Sequence, residues 1–488
     1  MLWNWFTFWW HCRKNRYPQA LACTATWKTV SQRALWAMHR LGMHISVSAA
    51  DGGKPGWQGR YAQAVSHAAC GRLQQARVAV AEFRRCPGAM NHTPDLALAL
   101  APFLPMDALQ LVEGLPGVPT GLLVALCLRN GQVERARELL DAAAHKWNYD
   151  PELHLLRTNA SGGLPHEQLN RLNTFLRAHG VAPLELRDTG LAPSPINVRR
   201  MKRTELVDGP LVSVLMTTFR TGARAEAAIA SVLAQSYHHL ELIVVDDASG
   251  DDTPGRVRAW AAQDDRVRLI ELPRNVGTYA AKLIGLARAR GEFLTCHDSD
   301  DWSHPEKIAR QVAPLLKDQR LVCTVSNLVR MSDDGRFFAR QVYPLTRLNP
   351  SSLLFRRERV LREAGAWDCV RTGADSEFLA RLKLVFGDKA VRKVAQPLTL
   401  GSHRPDSLMN APDTGYSPTG LSPQRLAYWE AWNRWHIDTL ARGRKPFMPA
   451  DVLTAVKQRP FDVPEELRVQ PEDVQACLEG LSRGSVLK

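Results

Sequence analysis

A mixed α/β sheet domain behind an all-helical domain is the fold this sequence predicts, and three observations predict it. After Leu211, β-rich apolar runs alternate with stretches of helical period, and strands alternating with helices build largely parallel sheets. Before residue 190 the apolar residues instead recur every three to four positions, the period of one helix face. Two acidic groups, Asp246-Asp247 and Asp298-Ser299-Asp300-Asp301, directly follow two of the strand-like runs. In open α/β sheets ligands collect beyond the carboxyl ends of strands.

The elements follow in chain order. Residues 1–50 form an N-terminal segment whose first ten residues are almost all apolar. Ten helical residues span about 15 Å, half a bilayer core. The stretch therefore does not cross a membrane, but with Arg13, Lys14 and Arg16 behind it it suits a membrane interface. Residues 51–190 read as helical. Gly71, Ala76 and Val80 line up with Gly131, Ala136 and Leu140, a spacing similar to the second helix of tetratricopeptide hairpins, with a degenerate copy expected between. Such a region is a candidate protein-docking unit. Residues 191–209, with their prolines and the run Arg199 to Arg203, read as a linker. Strands are expected at 211–216, 240–245, 267–270 and 292–296, with helices at 223–235, 253–263 and 278–289. Residues 413–488 read as a helical extension in which Tyr428, Trp429, Trp432, Trp435 and His436 recur at helical spacing, mostly as packing.

Composition excludes several classes. The nine cysteines show no C-x-x-C spacing, against zinc ribbons and for a reducing cytoplasm. The net charge of +14 suits phosphates or anionic headgroups. With no zinc-finger spacing and no ribonucleoprotein motif, nucleic acid is not an expected partner.

The acidic runs carry the chemistry. Carboxylates crowded at strand ends persist only if cations or donors neutralise them. Mg²⁺ or Mn²⁺ binds through one or two carboxylates plus substrate phosphates. In an extended segment Asp298 and Asp300 point the same way, so one reaches a ribose hydroxyl while the other holds the metal.

From Pro210 to Met409 the chain resembles the inverting family 2 glycosyltransferases, which have the GT-A fold, a Rossmann-like mixed sheet. Val212 to Thr218 is similar to the opening strand, Asp246-Asp247-Ala-Ser249 to the nucleotide-contacting Asp-Asp-x-Ser, and Asp298-Ser-Asp300-Asp301-Trp302 to the metal-binding Asp-x-Asp. The resemblance implies donor-nucleotide contacts by Thr218, Asp246, Asp247, Asp298 and Ser299. It implies a diphosphate contact by Lys282, where the family has Arg. Metal ligation by Asp300 and Asp298 follows, with His403 of the late His-x-x-Ser-Leu loop (residues 403–408) completing the shell and Arg404 adding charge. The family's catalytic base comes from a Glu-Asp pair at a helix start. Here Gly373-Ala374-Asp375-Ser376-Glu377 is similar, with Asp375 as the base, Ala374 in place of the Glu, and Glu377 as the fallback. Trp367 is a candidate wall of the acceptor site.

The expected activity is transfer of a sugar from a nucleotide-diphosphate donor, a UDP-sugar first, to a glycan or lipid-linked acceptor. The setting is cell-surface polysaccharide biosynthesis, in the cytoplasm or peripheral to the cytoplasmic face of the membrane. The alternative is an interaction or scaffold protein with a degenerate transferase domain. A nucleotidyltransferase is a third reading, but Thr217-Thr218-Phe219-Arg220 lacks the Gly-rich loop that class opens with.

Overall fold

The computed structural model describes residues 2–24, 31–50, 56–147, 149–201, 205–405, 407, 415–417 and 420–482. Lys202 and Arg203 of the basic run, and the end of the late loop at 408–412, lie outside the described residues.

Helical hairpins occupy the region before residue 180. They pair Trp57–Ala69 with Leu73–Arg84, Thr93–Leu100 with Pro105–Val112, Thr120–Arg129 with Val133–Ala142, and Glu152–Ser161 with Pro165–Ala178. Gly71 and Gly131 turn the first and third hairpins with φ of +74° and +75°, a backbone region only glycine enters freely. Ala76 and Ala136 are fully buried, and so small a side chain lets the paired backbones close in. The second hairpin fills the interval between the two copies seen in the sequence.

The segment expected as a linker is folded. Strands β1 (Leu184–Leu186) and β2 (Val198–Arg200) pair antiparallel, and Val207 bridges to Tyr237. Side-chain amides hold the turn: Asn197 Nδ2 donates to the carbonyls of Leu191 at 2.9 Å and Ala192 at 3.0 Å. Two asparagines therefore turn a proline-bearing stretch into a strap, the other being Asn173, whose amide exchanges bonds with Leu184.

The sheet domain starts with β3 (Val212–Thr218), β4 (Leu240–Asp246), β5 (Val267–Glu271), β6 (Phe293–Cys296) and β7 (Trp302–Ser303). It continues through β8 (Cys323–Met331), β9 (Phe337–Phe338), β10 (Arg347–Leu348), β11 (Leu354–Arg356) and β12 (Val391–Ser402). The order is β5-β4-β3-β6-β11-β8-β12-β7, with β9 and β10 also on β8. The β5-β4-β3-β6 half is parallel, while β11 runs antiparallel to β6 and β8. Strands β3 and β4 are buried along both faces, as central parallel strands must be. Leu215, Ile243, Val245 and Leu294 face one core, Val214, Leu242, Val244 and Phe293 the other. Each such side chain contributes about 1.5–3 kcal/mol on burial.

Helical and sheet domains share a core in which Trp302, Met331 and Leu400 pack with leucines of the helical hairpins. Glu152 accepts the Thr346 N–H at 3.0 Å, and Asn159 exchanges two 2.7 Å bonds with the backbone of Phe337. The helix Pro423–Ala441 joins both ends of the chain. Its Tyr428 and Trp432 are buried against the sheet domain. Its Ile437 packs with Phe8, Tyr17 and Leu35 of the N-terminal segment. Phe6 and Trp10 remain exposed. Among the described residues no helix is long and apolar enough to cross a membrane.

Candidate active site

The parallel arrangement brings the ends of β3, β4 and β6 to one edge. Thr218 stands opposite Asp246 and Leu215 opposite Cys296. Thr218 Oγ1 donates to Asp246 Oδ1 at 2.9 Å, and the Ser249 N–H donates to Oδ2 at 3.0 Å. Asp247 accepts the backbone N–H groups of Val276 at 2.7 Å and Gly277 at 2.8 Å, at the start of the helix Thr278–Leu286. Burial nevertheless pushes the Asp247 carboxyl up to about 6. Gly277 has φ +81°, and a Cβ there would meet the Arg371 Cα at 3.0 Å. Arg371 in turn donates to Asn275 Oδ1 at 2.9 Å. The two carboxylates thus order the rim of the site, drawing residues 275–277 and 371 around it.

The Asp298–Asp301 loop is shaped from below. The His297 ring N–H donates to the Asp301 carbonyl at 3.1 Å, and burial depresses that imidazole to about 3, keeping it neutral. Asp301 is buried, accepts the Ser402 N–H at 2.8 Å and is pushed up to about 8 by burial and by Asp300. Ser299 is buried beside it. Asp298 and Asp300 are partly exposed, and Arg404 Nε donates to Asp300 Oδ2 at 3.0 Å. Burial opposes ionisation of Asp298, but the Lys282 charge outweighs it and holds the carboxyl below its ordinary value. Lys307, buried on the following helix, is lowered to about 8 by burial.

These donors fit a hard divalent cation. Asp298 and Asp300 are the two partly exposed carboxyl groups of one loop, while Asp301 is buried beneath them. Asp298 and Asp300 supply oxygens only, the set Mg²⁺ or Mn²⁺ takes together with phosphates. His403 departs from expectation. Its ring stacks on Phe338 at 3.8 Å and 6°, and among the described residues no three His, Cys, Asp or Glu side chains gather as a metal cage. The ring lies against Phe338 and lines the opening between the helical and sheet domains.

Asp375 lies in the first turn of the helix Ala374–Phe386, after Gly373 at φ +93°. Its Oδ2 accepts the Ser351 hydroxyl at 2.8 Å, and its N–H donates to the Tyr279 hydroxyl at 3.2 Å. Its Oδ1 accepts no hydrogen bond and faces Lys282 Nζ at 3.7 Å. Lys282 corrects a second expectation. It is buried beneath the site, with Nζ 4.8 Å from the Tyr279 ring centroid and 5.9 Å from that of Trp367. Burial alone would lower its pKa; Asp375 outweighs this and holds it well above the ordinary value. It compensates Asp375 from inside the core, where no diphosphate reaches.

Glu377 is not available as a base. It is fully buried, bound twice by Arg381 at 2.8 Å and once by His436 at 2.9 Å. Burial favours its neutral form, but Arg381 and His436 outweigh that and draw its carboxyl down to about 2. Helix period explains the miss, since Glu377 sits two positions after Asp375 and so on another face. Trp367 is likewise core, between the rings of Phe355 and Phe378.

Ser351, Tyr279, Arg371 and Lys307 escaped the sequence reading. Ser351 comes from the segment between β10 and β11, and nothing local marks it. Lys307, six residues after Asp301 at a helix start, was readable as a charge beside an acidic run.

A sheet of this topology, with acidic groups at adjacent strand ends and a carboxylate above them, is a GT-A glycosyltransferase domain. Residues 213–373 match the model of Glycosyl transferase family 2. An "Uncharacterized glycosyltransferase" of Haemophilus influenzae is 36% identical over 118 residues, 24% of this chain and 47% of that protein. The "Succinoglycan biosynthesis protein ExoO" of Rhizobium meliloti is 37% identical over 127 residues, 26% of this chain and 36% of its own length. An Escherichia coli protein described as "UDP-Glc:alpha-D-GlcNAc-diphosphoundecaprenol beta-1,3-glucosyltransferase WfgD" is 34% identical over 112 residues, 23% of this chain and 44% of that one. The chain thus spans less than half the length of each of these relatives.

Proposed function

We propose that the protein is an inverting glycosyltransferase that moves a sugar from a nucleotide-diphosphate donor to a glycan or lipid-linked acceptor in cell-surface polysaccharide biosynthesis. The observation that carries this reading is the Asp375 carboxylate. One oxygen is held by the Ser351 hydroxyl, the other is buried toward Lys282, and Lys282 lies beneath both the carboxylate and the Asp298 loop. A general base needs an ionised, oriented oxygen within reach of the acceptor hydroxyl.

In the reaction the acceptor oxygen attacks the anomeric carbon, and the bond from that carbon to the diphosphate oxygen breaks with its electron pair leaving on the nucleotide. The Asp375 carboxylate takes the acceptor proton. Attack opposite the leaving group inverts the anomeric configuration. Thr218, Asp246 and Asp247 bound the nucleotide end of the site, and Asp298 with Ser299 the ribose side. Asp300 and Asp298 hold Mg²⁺ or Mn²⁺, which when bound supplies positive charge to the departing diphosphate. Arg404, already on Asp300, adds a guanidinium at the same place.

A UDP-sugar is the first donor to test, given the donor in the name of the E. coli relative. Placement in the cytoplasm, against the inner face of the membrane, accords with the cysteine pattern and with exposed Phe6 and Trp10 near Arg13 and Arg16. The helical hairpins are available to a protein partner.

Calorimetry with UDP, GDP, dTDP and CDP, each with and without Mn²⁺, tests the donor site. Metal-dependent binding of one nucleotide, lost in Asp300→Ala, is the expected result. A folded wild type that binds none of the four overturns the reading and leaves the degenerate-domain alternative.

A further inference from the structure

A cleft of about 630 Å³ opens between the helical domain and the sheet domain, a size that suits a ligand of one or two sugar units. One wall is the third and fourth helical hairpins, with Arg129, Arg137 and Asn159. The other is the turn from β8 to β9 with Arg336 and Phe338, and His403 closes one end.

Its charge is unbalanced. Asp334 is the single acidic lining residue against three arginines. Arg336 lies 3.6 Å from Asp334, and Arg137 pairs with Glu134 at 2.6 Å. Arg129 has no carboxylate partner among the described residues. It donates to the Ala339 carbonyl at 2.8 Å and stands 5.3 Å from the Phe338 ring centroid. A half-buried guanidinium held by a carbonyl and a ring, with no anion, is under-compensated.

The cleft also touches the reaction site. Residues 402–404 run along its end. Ser402 donates to Asp301, His403 lines the cleft, and Arg404 binds Asp300. One residue of backbone, about 3.8 Å, therefore separates a lining side chain from the partner of the proposed metal ligand.

We infer that this interdomain cleft binds an anionic group of the acceptor, a phosphate or a uronic acid carboxylate, with Arg129 and Arg336 as the recognising residues. The inference rests on the transferase reading for the word acceptor, and on this chain's own helices for the site. Arg129 meets the anion with a planar fork, and the neutral imidazole of His403, lowered by burial, offers an uncharged edge. The helical domain would then select the acceptor while the sheet domain holds the donor.

Ligand-observed saturation-transfer NMR on the full chain tests this with methyl phosphate, methyl β-D-glucuronide and methyl β-D-glucoside at low salt, with UDP and Mn²⁺ filling the donor site. One or both anions should bind and the glucoside should not. Preference for methyl phosphate indicates a phosphodiester or lipid-linked acceptor, and preference for the glucuronide an acidic glycan. Arg129→Gln should weaken anion binding roughly tenfold, the worth of one charge-assisted bond. Because Arg129 also braces the interface, Arg336→Gln, on an exposed side chain, provides the second reading, and thermal midpoints check folding. Equal binding of the glucoside, or undiminished anion binding in both variants, overturns the inference. UDP titrated alone reports the donor site separately, so failure of the transferase reading shows there and not in the anion data.

Discussion

An ammonium sealed from water persists only beside a negative charge, and Lys282 has Asp375 3.7 Å away. Asp375 outweighs the burial of this ammonium and holds the Lys282 pKa well above its ordinary value. Ser351 and Tyr279 add direction, one through the carboxylate and one through the backbone. Asp375→Asn keeps shape and hydrogen bonding but removes the base. It should lower kcat by 10²–10⁴-fold, the usual worth of general base catalysis, with the nucleotide Kd unchanged. Hydrolysis of the donor sugar by water, followed by released UDP, measures this without a known acceptor. Lys282→Met removes the compensating charge. It should lower kcat with the nucleotide Kd unchanged, while Lys282→Arg recovers most of the rate. A fall in nucleotide affinity with kcat unchanged would return Lys282 to the diphosphate.

At the scale of elements, the helix Ala374–Phe386 does two jobs on two faces. Its first turn presents Asp375, and its interior anchors Glu377 and Arg381, both fully buried, to His436 of the helix Pro423–Ala441. Arg381 also caps the carbonyl of Ala366 at 2.6 Å. Glu377→Gln strands a buried guanidinium and should destabilise by about 3–5 kcal/mol in urea unfolding, with any loss of rate following loss of folded protein. The pH sign agrees. Because the folded carboxyl is depressed to about 2, the network's stabilisation is complete above the ordinary glutamate range and drains away as pH falls toward 2. What was legible in the sequence divides along the same line. The ends of β4 and β6 were readable because both are apolar runs followed by acids. Asp375 and Glu377 were both legible as acids at a helix start, but choosing between them needs the helix azimuth against its neighbours. The partners that decided the matter, Ser351 and His436, lie 24 and 59 residues from theirs. The strap at 184–200 was missed because its order comes from Asn173 and Asn197 side chains rather than from apolar spacing. The stacking of His403 on Phe338 was not legible, because Phe338 sits on a two-residue strand with no signature of its own.

Across the whole molecule, the buried imidazoles set how the fold responds to acid. Burial lowers His39 and His297 to about 3 and His44 and His304 to about 4. Each is neutral in the native state and protonates near 6.5 when unfolded, so the unfolded chain binds more protons below that pH and stability is lost as pH falls through 6.5 toward 4. They lie in different regions: His39 and His44 in the N-terminal segment, His297 below the acidic loop, His304 on the strap through the Ala182 carbonyl at 3.0 Å. Two carboxyls act oppositely. Asp247, raised to about 6, and Asp301, raised to about 8, keep protons that the unfolded chain releases near 4, so they erode stability as pH rises to those values. Lys307, lowered to about 8 by burial, behaves as the histidines do: the unfolded lysine stays protonated to about 10.4, so stability is regained as pH rises above 8. Four histidines outweigh two carboxyls on the acid side, while between about pH 6.5 and 8 only Asp301 erodes stability and above 8 Lys307 restores it. The unfolding free energy should therefore rise steeply from pH 4.5 to a maximum near pH 6–7, dip shallowly toward pH 8 and recover above it. Urea denaturation at half-unit steps from pH 4.5 to 9 reads this directly. Replacing His44 by Gln, which keeps a polar partner for the Ser66 hydroxyl now 3.0 Å from Nδ1, should flatten the acid limb and leave the alkaline one unchanged. A stability curve that shows no loss as pH falls from 6.5 to 4.5 would mean that these imidazoles are reached by water in the native protein.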